Sequence, residues 1–234
     1  MIVYGRNAVR EALRGPREVA RVWALARAAR EPWLEAASVT VCGTAAELAS
    51  LCGSEDHQGV CAEAAEFSYA DAPALLDRPD PLIVALDQVQ DPQNLGAIAR
   101  TAECAGATGL VIGERRSAEV TAAVCKASAG AVEHLPVARV RNLSDFLGEA
   151  KAQGCWCHGA AADAPTAPHA VDLTGPAVLV LGSEGKGLRP RVVASCDTLI
   201  ALPLLGRIES LNVGAAAAAL LYEAVRQRAP GAGT

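Results

Sequence analysis

An α/β chain with a mainly parallel sheet and helices on both faces is the fold class this sequence predicts, and three observations carry it. The runs LIVALD and AVLVLG are continuously apolar, the mark of strands buried on both faces. From Leu82 onward, strand-like runs alternate with helix-like ones, as in βα units. Apolar residues make up 51% and charged residues 20%, enough for a core; aromatics are only 3%, so Ala, Val, Leu and Ile must build it. A length of 234 residues makes room for one or two domains.

The first third reads as a small α/β unit over residues 1–67. GRNAVREALRG is helix-like and stops at Gly15-Pro16. VARVWAL and SVTVC read as strands. Thr44 with Glu47 forms a capping box that opens a helix ending near Gly53. HQGVCAEAAEF supplies a further strand. Residues 68–81, with Pro73, Pro79 and Pro81, read as a linker.

The second domain spans 82–234. After the strand LIVALD, Asn94 or a neighbour caps a helix that ends at Gly106. GLVIG is a strand, residues 118–127 a helix, HLPVARV a strand and residues 144–153 a helix. CWCHGAA, AVLVLG and TLIALP add three strands. An Ala-rich helix over 213–228 closes the fold before the tail APGAGT.

Composition excludes several classes. No apolar run reaches the ~18 residues of a membrane helix, and the first residues lack a signal-peptide apolar core, so a cytoplasmic protein is expected. The eight cysteines form no C-x-x-C pair or zinc-spaced cluster, so they read as free core residues with no metal. Net charge is −5, yet residues 1–30 hold seven arginines against Glu11 and Glu18, whereas residues 31–66 hold seven acids and no Lys or Arg. That asymmetry conceals a basic patch: Arg6, Arg10 and Arg14 recur every four residues and share one helix face.

Ligands of parallel sheets bind beyond the carboxyl ends of the strands, which singles out three loops. GSEGKGL spaces its glycines as G-x-x-G-x-G, which is not the dinucleotide order, and it lacks the Lys-Ser/Thr of a P-loop. There is no G-x-S-x-G elbow, and the four histidines fall in no triad pattern. Together, DPQNLGAIARTAECAG with Asn94 and Arg100, LVLGSEGKGL with Glu184, and LPLLGRIESLNVGAAAAALLYEA with Ser210 and Asn212 resemble the three motifs of the SpoU (TrmH) family of RNA ribose 2′-O-methyltransferases, within the knotted SPOUT superfamily. VYGRNAVREAL and HQGV resemble the small substrate-binding domain of the branch that modifies a guanosine of 23S ribosomal RNA.

The resemblance implies S-adenosylmethionine as cofactor, a C-terminal trefoil knot, and a homodimer whose active site is completed across subunits. It implies catalytic roles for Asn94, Arg100, Glu184, Ser210 and Asn212, and a cofactor bound by Gly182 and the main chain at Leu202 and Leu211. RNA contacts are expected from Arg6, Arg10 and Arg14, from Arg116 beside Arg115, and from Lys126. Simpler roles compete: Asn94, Ser210 and Asn212 suit helix caps, Arg100 suits a pair with Glu103, and the arginine stripe suits a solvated face. A transfer-RNA ribose methyltransferase, or a non-catalytic RNA-binding protein of the same fold, would carry the same motifs.

Overall fold

The structure, a computed structural model, describes residues 1–229; the tail from position 230 lies outside the described residues. In chain order the elements are β1 (Ile2–Tyr4), α1 (Arg6–Arg14), β2 (Val19–Leu25), β3 (Val39–Cys42), α2 (Ala45–Cys52), β4 (Val60–Ala64) and α3 (Ala72–Leu76). Then come β5 (Leu82–Asp87), α4 (Pro92–Cys104), β6 (Gly109–Gly113), α5 (Ala122–Ala127), β7 (Val137–Val140) and α6 (Leu143–Ala152). The last are β8 (Trp156–Ala160), β9 (Ala177–Gly182), α7 (Pro190–Ser195), β10 (Thr198–Ile200) and α8 (Val213–Arg228). The chain divides into two compact units: Met1–Ser68 with Glu119–His134, and Tyr69–Ala118 with Leu135 onward.

The first unit is a four-stranded mixed sheet in the order β1-β4-β2-β3, with β2 and β3 parallel and the other pairs antiparallel. Helix α1 buries Ala8, Val9 and Ala12 and ends at Gly15, whose N–H bonds the Glu11 carbonyl at 2.7 Å. The Thr44 hydroxyl accepts from the Glu47 N–H at 3.1 Å, and the Glu47 carboxylate reaches back to the N–H of Gly43 at 3.0 Å, one residue earlier than a standard capping box.

Glu119–His134 packs within this first unit, although its helix reads from sequence as part of the second domain. Two local features hold it there. The Glu133 side chain is fully buried, and Arg17 donates to it through Nε at 2.9 Å and through a second, shorter bond. Arg17 also donates to the Ala65 carbonyl at 3.0 Å and lies over the Phe67 ring. Gly130, at φ +88°, lies against α1 so closely that a Cβ there would come within 2.6 Å of the Glu11 Cβ.

The second unit is built on a six-stranded, fully parallel sheet in the order β10-β8-β9-β5-β6-β7. Every residue of β5 is buried, as its apolar run predicts. Helices α4 and α8 pack on each other, α4 on β6 and α8 on β9. On the other face, α3, α6 and α7 contribute Leu75, Leu76, Phe146, Leu147 and Val192 to a core with Ile83, Ala85, Val111, Val178 and Val180. The stretch read as a linker therefore carries α3. Pro73 lies in its first turn, where a missing N–H costs nothing, and Leu75 and Leu76 are buried.

Strands β5, β6 and β7 step outward in one direction, while β8 and β10 lie beyond β9 on the other side. The sheet thus reverses between β5 and β9, and the crevice at their carboxyl ends is where such folds hold ligands. All eight cysteines are free and five are buried. Burial pushes the Cys61 and Cys157 thiols up to about 12, which keeps them neutral core residues. Among the described residues no helix is long and apolar enough to cross a membrane, and no group of His, Cys, Asp and Glu could hold a metal ion.

Candidate active site

The three loops singled out by sequence meet at the carboxyl end of β9. Asn94 is not the cap of α4. Asp91 takes that position, accepting from the Gln93 N–H at 2.9 Å, and Asn94 lies buried one turn inside. Its amide donates to Glu184 Oε1 at 3.2 Å. The Asn212 amide donates to the same oxygen at 2.6 Å and to Asn94 Oδ1 at 2.9 Å. Asn212 also caps α8, its Oδ1 accepting from the N–H groups of Gly214 and Ala215. The cap role is thus real for Asn212 and coexists with a closed ring of three side chains from three motifs. Carboxylate and amide groups lock one another's orientation there, as a site needing fixed polar atoms requires.

Next to this ring lies a cleft of about 750 Å³, lined by Gly182, Glu184, Leu202, Ser210, Leu211 and the α8 residue Ala216, among others. Its inner wall is apolar, with Leu181, Ile200 and Leu220. Ser210 and Leu211 are exposed on its rim, so Leu211 is not a core side chain. The glycine spacing of GSEGKGL has a local cause. After β9 the chain folds back so that the Gly187 N–H bonds the Ser183 carbonyl at 2.9 Å, with Gly185 and Gly187 at positive φ. A Cβ on Gly182 would lie 2.2 Å from the Gly187 carbonyl carbon, so the protein's own backbone demands that glycine.

Arg100 is not brought into this cluster. It lies on the exposed side of α4, and among the described residues its side chain makes no hydrogen bond or ion pair, the competing pair with Glu103 included. Of the RNA-contact candidates, Arg6, Arg10 and Arg14 share one face of α1, opposite Ala8 and Ala12. Arg6 pairs with Glu31, while Arg10 and Arg14 both reach Glu11, at 2.9 and 3.3 Å. Burial opposes ionisation of Glu11, but the bonds from His134 and Arg10 outweigh it and its pKa is lowered. Lys126 is half-buried against Gly5 and donates to the Asp56 carbonyl at 2.8 Å, and burial lowers its pKa. Arg116 is exposed, with φ +56°.

One buried ion pair beside the site escaped sequence reading. Asp87, the last residue of β5, is 1% exposed and holds Arg189 by its main-chain N–H at 2.8 Å and its Nε at 2.7 Å. The available signal was a lone carboxylate ending an otherwise apolar buried strand, since buried charges are paired.

Residues 81–222 match the SpoU rRNA methylase family, and residues 2–70 match the RNA 2′-O ribose methyltransferase substrate-binding family. The chain belongs to the SpoU rRNA methylase family. An uncharacterized tRNA/rRNA methyltransferase of Synechocystis is 40% identical over 97% of this chain, which spans 62% of that relative's length. A 23S rRNA (guanosine-2′-O-)-methyltransferase of Pseudomonas putida is 39% identical over 97% of this chain and 96% of its own. Among solved SpoU structures, that of AviRb from Streptomyces viridochromogenes, in complex with AdoMet, aligns with TM-score 0.83 and 28% identity over 99% of this chain and 91% of its own.

Proposed function

We propose that this chain is an S-adenosylmethionine-dependent RNA methyltransferase that modifies the ribose 2′-hydroxyl of a guanosine in 23S ribosomal RNA. The observation that carries this reading is the Asn94–Glu184–Asn212 ring beside the cleft at the carboxyl end of β9. The donor set fits a purine nucleoside bearing a charged tail. The main-chain groups of residues 202–211 make no hydrogen bond among the described residues, so they are free to meet the edge of a base. The apolar wall suits the base, and Ser210 and Glu184 offer polar contacts. When bound, S-adenosylmethionine supplies the methyl group from its sulfonium.

The chain's own residues have two tasks. Glu184, fixed by two amides, orients the groups around it, while Asn94 and Asn212 hold their rotamers through the ring. Arg100, a permanent cation with a planar fork, clamps the phosphate next to the reacting ribose and so positions the hydroxyl; that phosphate or an ordered water takes its proton. A homodimer completes the site. The 97% exposure of Leu205 and 76% of Ile208, with the exposed Leu211 and Tyr222, supports an apolar surface made for a second copy. The reading includes a trefoil knot in the C-terminal segment, and the chain path is compatible with it: α8 returns from the edge strand β10 to pack on the central β9. Action on ribosomal RNA supports a cytoplasmic location.

The test is in vitro methylation of 23S rRNA and of total tRNA, with the modified nucleotide mapped by mass spectrometry. The expected product is one ribose-methylated guanosine in 23S rRNA. A mark confined to tRNA would favour the tRNA reading, and no mark on either RNA would overturn the enzyme assignment. The first unit is expected to dock the RNA. Replacing Arg6, Arg10 and Arg14 by Ala should flatten the salt dependence of RNA binding by up to about three units of log–log slope and leave cofactor affinity unchanged. An unaltered slope would make the stripe a solvated face.

A further inference from the structure

The carboxyl edge of the parallel sheet carries a second feature on the other side of its reversal point. Asp87 is the register partner of Gly182 across β5 and β9, so the cofactor cleft and the Asp87–Arg189 pair occupy adjacent strand ends. Past them, over the ends of β5, β6 and β7, lie two clefts of about 250 and 520 Å³. Arg115, Arg141 and Arg189 line both, Arg116 lines the smaller, and Arg191 the larger.

These guanidinium groups are poorly neutralised. Among the described residues Arg115, Arg116 and Arg141 make no hydrogen bond or ion pair, although all three are exposed. Arg191 has only Asp145 at 3.6 Å, an exposed pair that contributes little. Arg189 is held by buried Asp87 through Nε and its main chain, and among the described residues its two terminal nitrogens are unbonded. The Ser117 hydroxyl, which lines the smaller cleft, is buried without a hydrogen-bond partner. Like charges gathered with too few counter-ions raise the free energy of the isolated protein. A polyanion relieves that repulsion, and planar forks match phosphate oxygens.

We propose that Arg115, Arg141 and Arg189 form a docking shelf for the RNA phosphate backbone beside the methyl-transfer cleft, with Arg116 and Arg191 on its rim. This inference rests on the RNA methyltransferase reading and goes beyond it by joining Arg141 and the Asp87-held Arg189 to the expected contact at Arg115 and Arg116, as one phosphate site separate from Arg100. The shelf holds the strand flanking the target nucleotide. Arg189 is the positioned member, and the exposed Arg115 and Arg141 supply further charge.

The experiment uses the full chain, the Arg115→Ala/Arg141→Ala double variant and the matching Lys double variant. Binding of a 23S rRNA fragment is followed by fluorescence anisotropy over a salt series, with cofactor binding measured by calorimetry. The Ala variant should lose about two units of log–log salt slope and raise the KM for RNA at least tenfold. Its kcat and cofactor affinity should stay as in the wild type, and the Lys variant should recover most of the slope. A wild-type slope in the Ala variant, beside a wild-type chain that methylates, would overturn the shelf alone. A wild-type chain that neither binds nor methylates RNA would overturn both readings. Loss of cofactor binding in the Ala variant would show a structural role for these arginines and overturn the shelf.

Discussion

Arg100→Ala should lower single-turnover methyl transfer by at least two orders of magnitude while S-adenosylmethionine still binds. The structure sharpens this expectation. Among the described residues the Arg100 side chain makes no hydrogen bond or ion pair and lies on the exposed side of α4, so its loss removes no polar contact seen in the folded state. An arginine with nothing to hold is one whose partner comes from outside, and a phosphate beside the reacting ribose fits its fork. Its contribution then falls on the step in which the hydroxyl attacks, which appears in kcat and not in cofactor affinity. Arg100→Lys keeps the charge but not the two-pronged geometry, so it should rescue little. Single-turnover methylation of an rRNA fragment at saturating protein measures this directly. A near wild-type rate for Arg100→Ala would move the chemistry to Glu184 or Ser210.

Arg17→Ala should destabilise the first unit by about 3–5 kcal/mol, the cost of leaving a buried carboxylate without its cation. Glu133 has a side chain with no exposure, and Arg17 is only 7% exposed, so solvent cannot take the missing partner's place. The same residue holds the Ala65 carbonyl and covers the Phe67 ring, so truncation also opens packing. Urea denaturation monitored by circular dichroism should show an earlier transition. Because Glu119–His134 is part of this unit, its amides should lose hydrogen-exchange protection first. Arg17→Met combined with Glu133→Leu should recover much of the loss, since an apolar pair needs no counter-charge. Unchanged stability of Arg17→Ala would show that water reaches Glu133.

Local rules read much of this chain correctly. Continuous apolar runs marked β5 and β9, Thr44 with Glu47 marked the start of α2, and Gly15 marked the end of α1, because each signal acts over a few residues. Where a residue's role comes from a distant partner, such rules fail. Pro73 made the stretch before β5 look like a linker, yet burial of Leu75 and Leu76 pays for a helix there. Helix α5 followed the βα alternation in sequence, but the pairing of Glu133 with an arginine 116 residues earlier set which unit contains its segment.

The sequence by itself singled out three residues that the fold brings into one hydrogen-bonded ring. Asn94, Glu184 and Asn212 stand in three separate motifs, and it was the resemblance of those motifs to one family that named them. Tertiary structure alone decided what they do to one another, since Asn94 lies 90 residues from Glu184 and 118 from Asn212 and meets them only through the strand order of the sheet. It also decided that Gly182 answers to the backbone of Gly187 and that Asp87 anchors Arg189. The physical reason is range. Hydrogen bonds and excluded volume act over a few ångströms, and only the folded chain brings those residues that close.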